Sequence, residues 1–101
     1  MAKQIIWTPT AQNDQFDIFD YWNNRNKSKL YSKKLNKLFQ EHLAIISKHP
    51  EIGVKLRADV YRKTVRDYQL IYLNRPKEIV LLAIWDTRQR PDKLYDKLKE
   101  S

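Results

Sequence analysis

The chain has 101 residues, with one glycine, four prolines and no cysteine, and its 20 Lys and Arg against 12 Asp and Glu give a formal charge of +8. That length builds one domain, residues 1–101, around a single core; the missing cysteine excludes disulfides, thiolate metal sites and a thiol nucleophile; and a lone glycine leaves no phosphate-cradling loop, Walker motif or dinucleotide fingerprint. The positive excess favours an anionic partner, whether nucleic acid, ribosome or acidic protein, with a merely solvated surface as the plainer alternative.

Residues 4–7 form a short β-prone run, and Thr8-Pro9 then supplies a capping hydroxyl and a proline for the first helical position. A helix is predicted over residues 10–24. Phe16, Phe19 and Trp22 recur every three positions with Ile18 beside them, and Asp14, Asp17 and Asp20 take the opposite side, read as a solvated acidic face and not as a metal site. Asn23-Asn24-Arg25-Asn26 ends this helix, and Ser28 is placed to cap a second over residues 30–48. There Tyr31, Leu35, Leu38, His42, Ile45 and Ile46 keep helical spacing and Lys33, Lys34, Lys37 and Gln40 fall between them. His42 belongs at the edge of the packed face. His49-Pro50 stops the helix, and Gly53 stands in the following loop as a site for positive φ.

After Lys55 and Arg57 comes a strand-like run over residues 60–65, with Tyr61, Lys63 and Val65 on one face and Arg62 and Thr64 on the other. Arg66-Asp67 reads as a tight turn into residues 68–74, with a single bent strand as the alternative. Asn74-Arg75-Pro76-Lys77 is the next connection. The last strand, residues 78–86, is apolar on both faces, at Val80, Leu82 and Ile84 and at Ile79, Leu81, Ala83 and Trp85, which suits a central position in a sheet. A short C-terminal helix is predicted over residues 93–99, packing Leu94 and Leu98 on the sheet edge. Nothing in the chain reads as a signal peptide or a membrane span, so a cytoplasmic protein is expected. The whole is an α+β, two-layer β-α-α-β-β-β fold in which a helical hairpin covers one face of a mainly antiparallel sheet and leaves the other face open.

This order of elements resembles the RelE/ParE superfamily of type II toxin-antitoxin toxins, as do the Pro50-x-x-Gly53 loop, the strand Tyr68-Gln69-Leu70-Ile71-Tyr72 and the run Ile84-Trp85-Asp86-Thr87-Arg88-Gln89-Arg90-Pro91. The resemblance implies a growth-inhibiting toxin with no metal and no cofactor, neutralised by a cognate antitoxin whose C-terminal segment wraps across it; the residues do not fix an oligomeric state, and pairing of the first two helices would support a homodimer, as the antitoxin would a hetero-oligomer. Two activities occur on such chains. RelE-like members cut mRNA on the ribosome as metal-independent endoribonucleases; ParE-like members poison DNA gyrase by binding it. A basic RNA-binding module without toxicity is a third reading.

Metal-independent RNA cleavage needs a base for the 2′-hydroxyl, cations for the phosphate and an acid for the leaving oxygen. On the nuclease reading the resemblance assigns these parts to Arg62, Lys63 and Arg66, to Arg88 or Arg90 as the strand-end arginine, and to Tyr95. Lys55, Arg57, Gln69 and Arg90 are the further binding candidates. Whether the chain is an enzyme is left open by these residues. One departure weighs against it: the nuclease branch reads Tyr-Arg-Leu-Val-Tyr where this chain has Tyr68-Gln69-Leu70-Ile71-Tyr72, so an amide replaces a full charge at the phosphate. The reading therefore leans to the ParE-like, gyrase-directed branch.

Overall fold

A computed structural model describes residues 2–88. The elements are β1 (Gln4–Trp7), α1 (Pro9–Asn26), α2 (Leu30–Lys48), β2 (Val54–Arg57), β3 (Val60–Val65), β4 (Tyr68–Asn74) and β5 (Glu78–Asp86). One five-stranded sheet has the order β1-β5-β4-β3-β2, with β1 parallel to β5 and the other three pairs antiparallel. As its two-sided apolar sequence predicts, β5 is central, between β1 and β4. The C-terminal helix expected over residues 93–99 lies outside the described residues.

The start of α1 follows from local chemistry. Thr8 is extended (φ −73°, ψ 160°), its Oγ1 accepts the Ala11 N–H at 3.1 Å, and Pro9 follows at the first helical position, where a missing N–H costs nothing. The helix runs two residues beyond the predicted 24. It ends at Lys27, whose φ of 54° is left-handed, with the Lys27 and Ser28 amides turned back to the Asn23 carbonyl. Ser28 accepts the Leu30 N–H at 3.2 Å, although Lys29 is the residue at the helix cap. Across the hairpin Ser32 Oγ donates to Asn23 Oδ1 at 2.6 Å, and Gln15 Nε2 to Asn36 Oδ1 at 3.4 Å.

The core lies between hairpin and sheet, where Ala11, Leu35, Phe39, Leu43 and Ile46 meet Tyr61, Val65, Tyr68, Leu70, Tyr72, Ile79, Leu81 and Ile84. Each large side chain so buried contributes on the order of 1.5–3 kcal/mol. Phe39 stacks on Phe19 and meets Tyr68 edge-on, with centroids 6.2 and 5.9 Å apart.

Four features depart from the sequence reading. Four strands follow the hairpin where three were predicted, because Val54–Arg57 pairs with β3 although all four of its residues are exposed and no burial pattern announces it. The alternation of β5 breaks at a bulge: Ile71 faces Ala83 and Tyr72 faces Leu81, so Leu82 is the extra residue. Ile79, Leu81 and Ile84 therefore share the helix-covered face, and Ala83 and Trp85 lie on the other. That second face is not open as expected; Ile71 and Ala83 there are fully buried, with Val60 and Trp85 at 7% and 5% exposure. Lastly, Asp14 is no part of a solvated face: it is 5% exposed and packed against β5, while Phe16, expected on the apolar side, is 69% exposed.

Gly53 has no positive φ; crowding is what demands glycine there. A Cβ at this position would stand 2.4 Å from the Arg62 carbonyl oxygen and 2.8 Å from the Tyr72 hydroxyl. Positive φ in this region falls instead on Ala58, φ 32°, between β2 and β3, and on Arg66, φ 55°, which with Asp67 makes the predicted two-residue turn between Val65 and its partner Tyr68.

Candidate functional site

Residues paired across neighbouring strands share a face, which sorts the sequence-predicted cations. Arg62 pairs with Ile71 and with Val54, Arg57 with Val60, and Gln69 with Thr64 and Trp85, so Arg57, Arg62 and Gln69 border the second face of the sheet. Arg62 and Gln69 are half-buried and Arg57 is exposed, around the closed apolar centre of Val60, Ile71, Ala83 and Trp85. Lys55 pairs with Tyr61 and Lys63 with Leu70, on the helix-covered face. Arg66 is exposed in the turn at the end of β3. Arg62, Lys63 and Arg66 are thus directed to three places, as alternation along a strand and a reversal at its end require. Arg90 and Tyr95 lie outside the described residues.

Lys63 faces α2. Its charge, together with burial as the larger cause, holds the His42 imidazole below its usual pKa. His42 Nδ1 is buried without a hydrogen-bond partner among the described residues. The pair favours a neutral imidazole at the edge of the packed face.

Arg88 stands just past β5 and is held by one carboxylate. Its Nε donates to Asp86 Oδ1 at 2.9 Å, its Nη2 to Oδ2 at 2.7 Å, and its backbone N–H to Oδ1 at 2.9 Å. This fork-to-carboxylate geometry is the strongest form such a pair takes. The hydrogen bonds from Arg88 lower the Asp86 pKa against an opposing effect of burial, and the same contact raises that of Arg88. The Arg88 guanidinium also lies 5.9 Å from the centre of the Trp22 ring, which Arg25 approaches at 5.8 Å. Trp22 Nε1 donates to the Tyr68 hydroxyl at 2.8 Å. Burial of that hydroxyl raises its pKa, so Tyr68 is a neutral phenol at physiological pH.

Between this cluster and α1 runs a cleft of about 420 Å³, lined by Asp14, Asp17, Tyr21, Tyr68, Asp86 and Arg88 with Ile18, Ile84 and Trp85. The residues missed by the sequence reading are here: Asp14 and Tyr68 line the cleft from α1 and β4, and Trp22 meets Tyr68 and Arg88 beside it. Among the described residues no group of three His, Asp or Glu side chains is arranged to hold a metal ion, and no helix is long and apolar enough to cross a membrane.

Two helices packed on one face of this five-stranded mixed sheet, in this element order, make a RelE/ParE-like toxin fold. Within that superfamily the chain belongs to the family described as "ParE toxin of type II toxin-antitoxin system, parDE", whose sequence model matches residues 5–91. No curated protein sequence gives a significant match. Among solved structures it is similar to a chain of the "Chromosomal ParDE TA system from P. aeruginosa", with a TM-score of 0.70 and 18% identity over 84% of this chain and 96% of that one. At that identity the likeness is one of fold.

Proposed function

We propose that this chain arrests growth as the toxin of a ParDE-type pair, by binding and blocking DNA gyrase and without cleaving RNA. The observation that carries the reading is the dispersal of the cations a nuclease would need together. Arg62 borders the second face of the sheet, Lys63 faces α2, Arg66 occupies the turn, and Arg88 is committed to Asp86. Gln69, at the position the nuclease branch fills with arginine, is an amide beside Thr64 and Trp85 and supplies no full charge. A neutral His42 lies behind the sheet, on the hairpin side, away from Arg62 and Gln69.

A cognate antitoxin is the natural partner, and β2 is the edge at which an acidic extended segment of it would be received. This strand is the outer edge of the sheet, its residues are all exposed, and it presents Lys55 and Arg57 beside Val54 and Leu56. Free backbone donors and acceptors on such an edge accept an added strand, and the flanking cations select an acidic one.

The test sets purified protein against gyrase in a supercoiling assay and against mRNA in a translating extract. Supercoiling is expected to stop with the mRNA intact. Cleaved mRNA with unimpaired supercoiling would overturn the proposal in favour of the ribosome-dependent endoribonuclease, and neither effect, with normal growth at high expression, would leave a non-toxic binding module.

A further inference from the structure

The outer side of the helical hairpin carries a separation of charge and an exposed aromatic ring that neither the core nor the strand-end cations use. On α1, Asp17 and Asp20 are exposed; on α2, Lys33, Lys34 and Lys37 are exposed, as is Lys29 at its cap. Among the described residues, none of the side chains of Asp17, Asp20, Lys33, Lys34 and Lys37 has a hydrogen-bond or ion-pair partner. Phe16 is 69% exposed beside a shallow groove of about 250 Å³ that it lines with Gln12, Gln15, Phe19, Asp20 and Asn23. Leu30, at the other end of the hairpin, is 71% exposed. In a chain of +8, an acidic helix packed beside a lysine-rich one is a surface complementary to itself.

We infer that this surface pairs with a second copy of the chain, α1 of each protomer lying antiparallel on α2 of the other in a two-fold dimer. The level of the residues follows from contacts already made within one hairpin. Asn23 is hydrogen-bonded to Ser32 and Gln15 to Asn36, and these two bonds bracket the stretch in which residues 17–20 of α1 run beside residues 33–37 of α2. A two-fold axis running parallel to the helices exchanges α1 for α2 across the interface and preserves level. Asp20 of one protomer then meets Lys33 and Lys34 of its partner, and Asp17 meets Lys37. Each contact occurs twice, as an isologous interface requires. Phe16 falls between the two ionic rows and enters the partner's side of the groove, where an aromatic anchor surrounded by a polar rim is the usual energetic centre of an interface. The β2 edge is not covered by this arrangement, and Asp17, which also lines the cleft at Arg88, brings the interface to the rim of that cleft, so the antitoxin edge stays accessible in the dimer.

Sedimentation velocity of the purified full chain tests the pairing. Twice the chain mass is expected at low salt, with a shift toward the single chain as salt screens the ionic rows. Phe16→Ser alters only an exposed side chain and is expected to give the single chain with an unchanged melting temperature. Two double variants isolate the charges: Asp17→Lys with Asp20→Lys, and Lys33→Glu with Lys37→Glu. Each alone places like charges opposite each other and is expected to be monomeric. Mixed in equal amounts they restore opposite charges in both halves of the interface, so dimer is expected to return. A single-chain mass for the unmodified protein at every concentration in low salt overturns the proposal, as does a dimer that persists in both double variants or one that fails to return on mixing.

Discussion

The carboxylate of Asp14 accepts the backbone N–H of Ile84 at 3.0 Å, joining the second turn of α1 to the central strand. The bond is needed because β1 pairs with β5 only as far as Leu81, leaving the rest of that edge without a strand. The start of α1 takes over where β1 stops. Thr8 donates its N–H to the Leu81 carbonyl at 3.1 Å and its hydroxyl to the carbonyl of the bulged Leu82 at 2.9 Å, and Asp14 then serves Ile84. Replacing Asp14 by Ala leaves a buried N–H unsatisfied and is expected to cost about 1.5–3 kcal/mol in urea unfolding. Thr8→Ala removes a helix cap and the Leu82 bond together, and about 1–2 kcal/mol is expected. An exposed control, Asp20→Ala, should fall within about 0.5 kcal/mol of the unmodified protein.

Crowding at Gly53 makes a second prediction. The Tyr72 hydroxyl donates to the Pro50 carbonyl at 2.7 Å and accepts the Gly53 N–H at 3.2 Å, fastening the loop after α2 to the sheet. Gly53→Ala drives a methyl into the Arg62 carbonyl, a backbone atom that cannot swing aside, and is expected to destabilise by roughly 1–3 kcal/mol. Tyr72→Phe removes both hydroxyl bonds without adding bulk, with a loss of about 1–3 kcal/mol. Thermal unfolding of the two single variants and of the double variant reads both, and a double loss smaller than the sum is expected because the two sites share the same contact.

How much of this was legible in the chain depends on what each feature rests on. The cap at Thr8-Pro9, the stop at His49-Pro50, the turn at Arg66-Asp67 and the central place of residues 78–86 depend on local chemistry and apolar content, and both are written in consecutive residues. The bulge at Leu82 is not, because all its neighbours are apolar and either register buries them. Asp14 looked like one of three equivalent aspartates, since helical spacing alone does not tell which of them meets an unpaired strand edge. Strand β2 is exposed throughout, so no period of burial marks it. At the candidate site, alternation already separated Arg62 from Lys63, whereas the approach of Trp22 and Tyr68 to Arg88 joins residues 46 apart between Trp22 and Tyr68 and depends on packing the hairpin on the sheet.

Stability is expected to fall on acidification in two stages. The folded protein holds His42 below its ordinary pKa of 6.5, through burial and then Lys63, so below that value the unfolded chain binds a proton that the folded chain resists. Stability contributed by the neutral imidazole is complete above the ordinary 6.5 and is lost as pH drops through the lower folded pKa. Asp86 acts at more acid pH. Its carboxyl is lowered from 3.8 by the hydrogen bonds of Arg88, so its contribution is present above that value and disappears as pH falls through the folded pKa. Urea midpoints between pH 7 and pH 3 are expected to decline in both windows. His42→Phe should flatten the upper one and Asp86→Asn the lower; an unchanged upper decline in His42→Phe would show that another group is responsible.

The cations of β2 should govern the speed of antitoxin capture more than its final strength. Lys55 and Arg57 are exposed on the outer strand, where charges steer encounter but are well solvated once contact is made. Changing both to Glu is expected to slow association with the cognate antitoxin by about tenfold or more at low salt, with a much smaller change in the dissociation rate and in the melting temperature. The difference should shrink as salt is raised, because exposed charges are screened over about 10 Å at 0.1 M. Lys63→Glu provides the contrast: this residue faces α2 and His42, so its replacement should raise the His42 pKa and leave the association rate nearly unchanged. Stopped-flow association at two salt concentrations checks both variants, and equal slowing by Lys63→Glu and the β2 pair would remove the basis for placing the antitoxin at that edge.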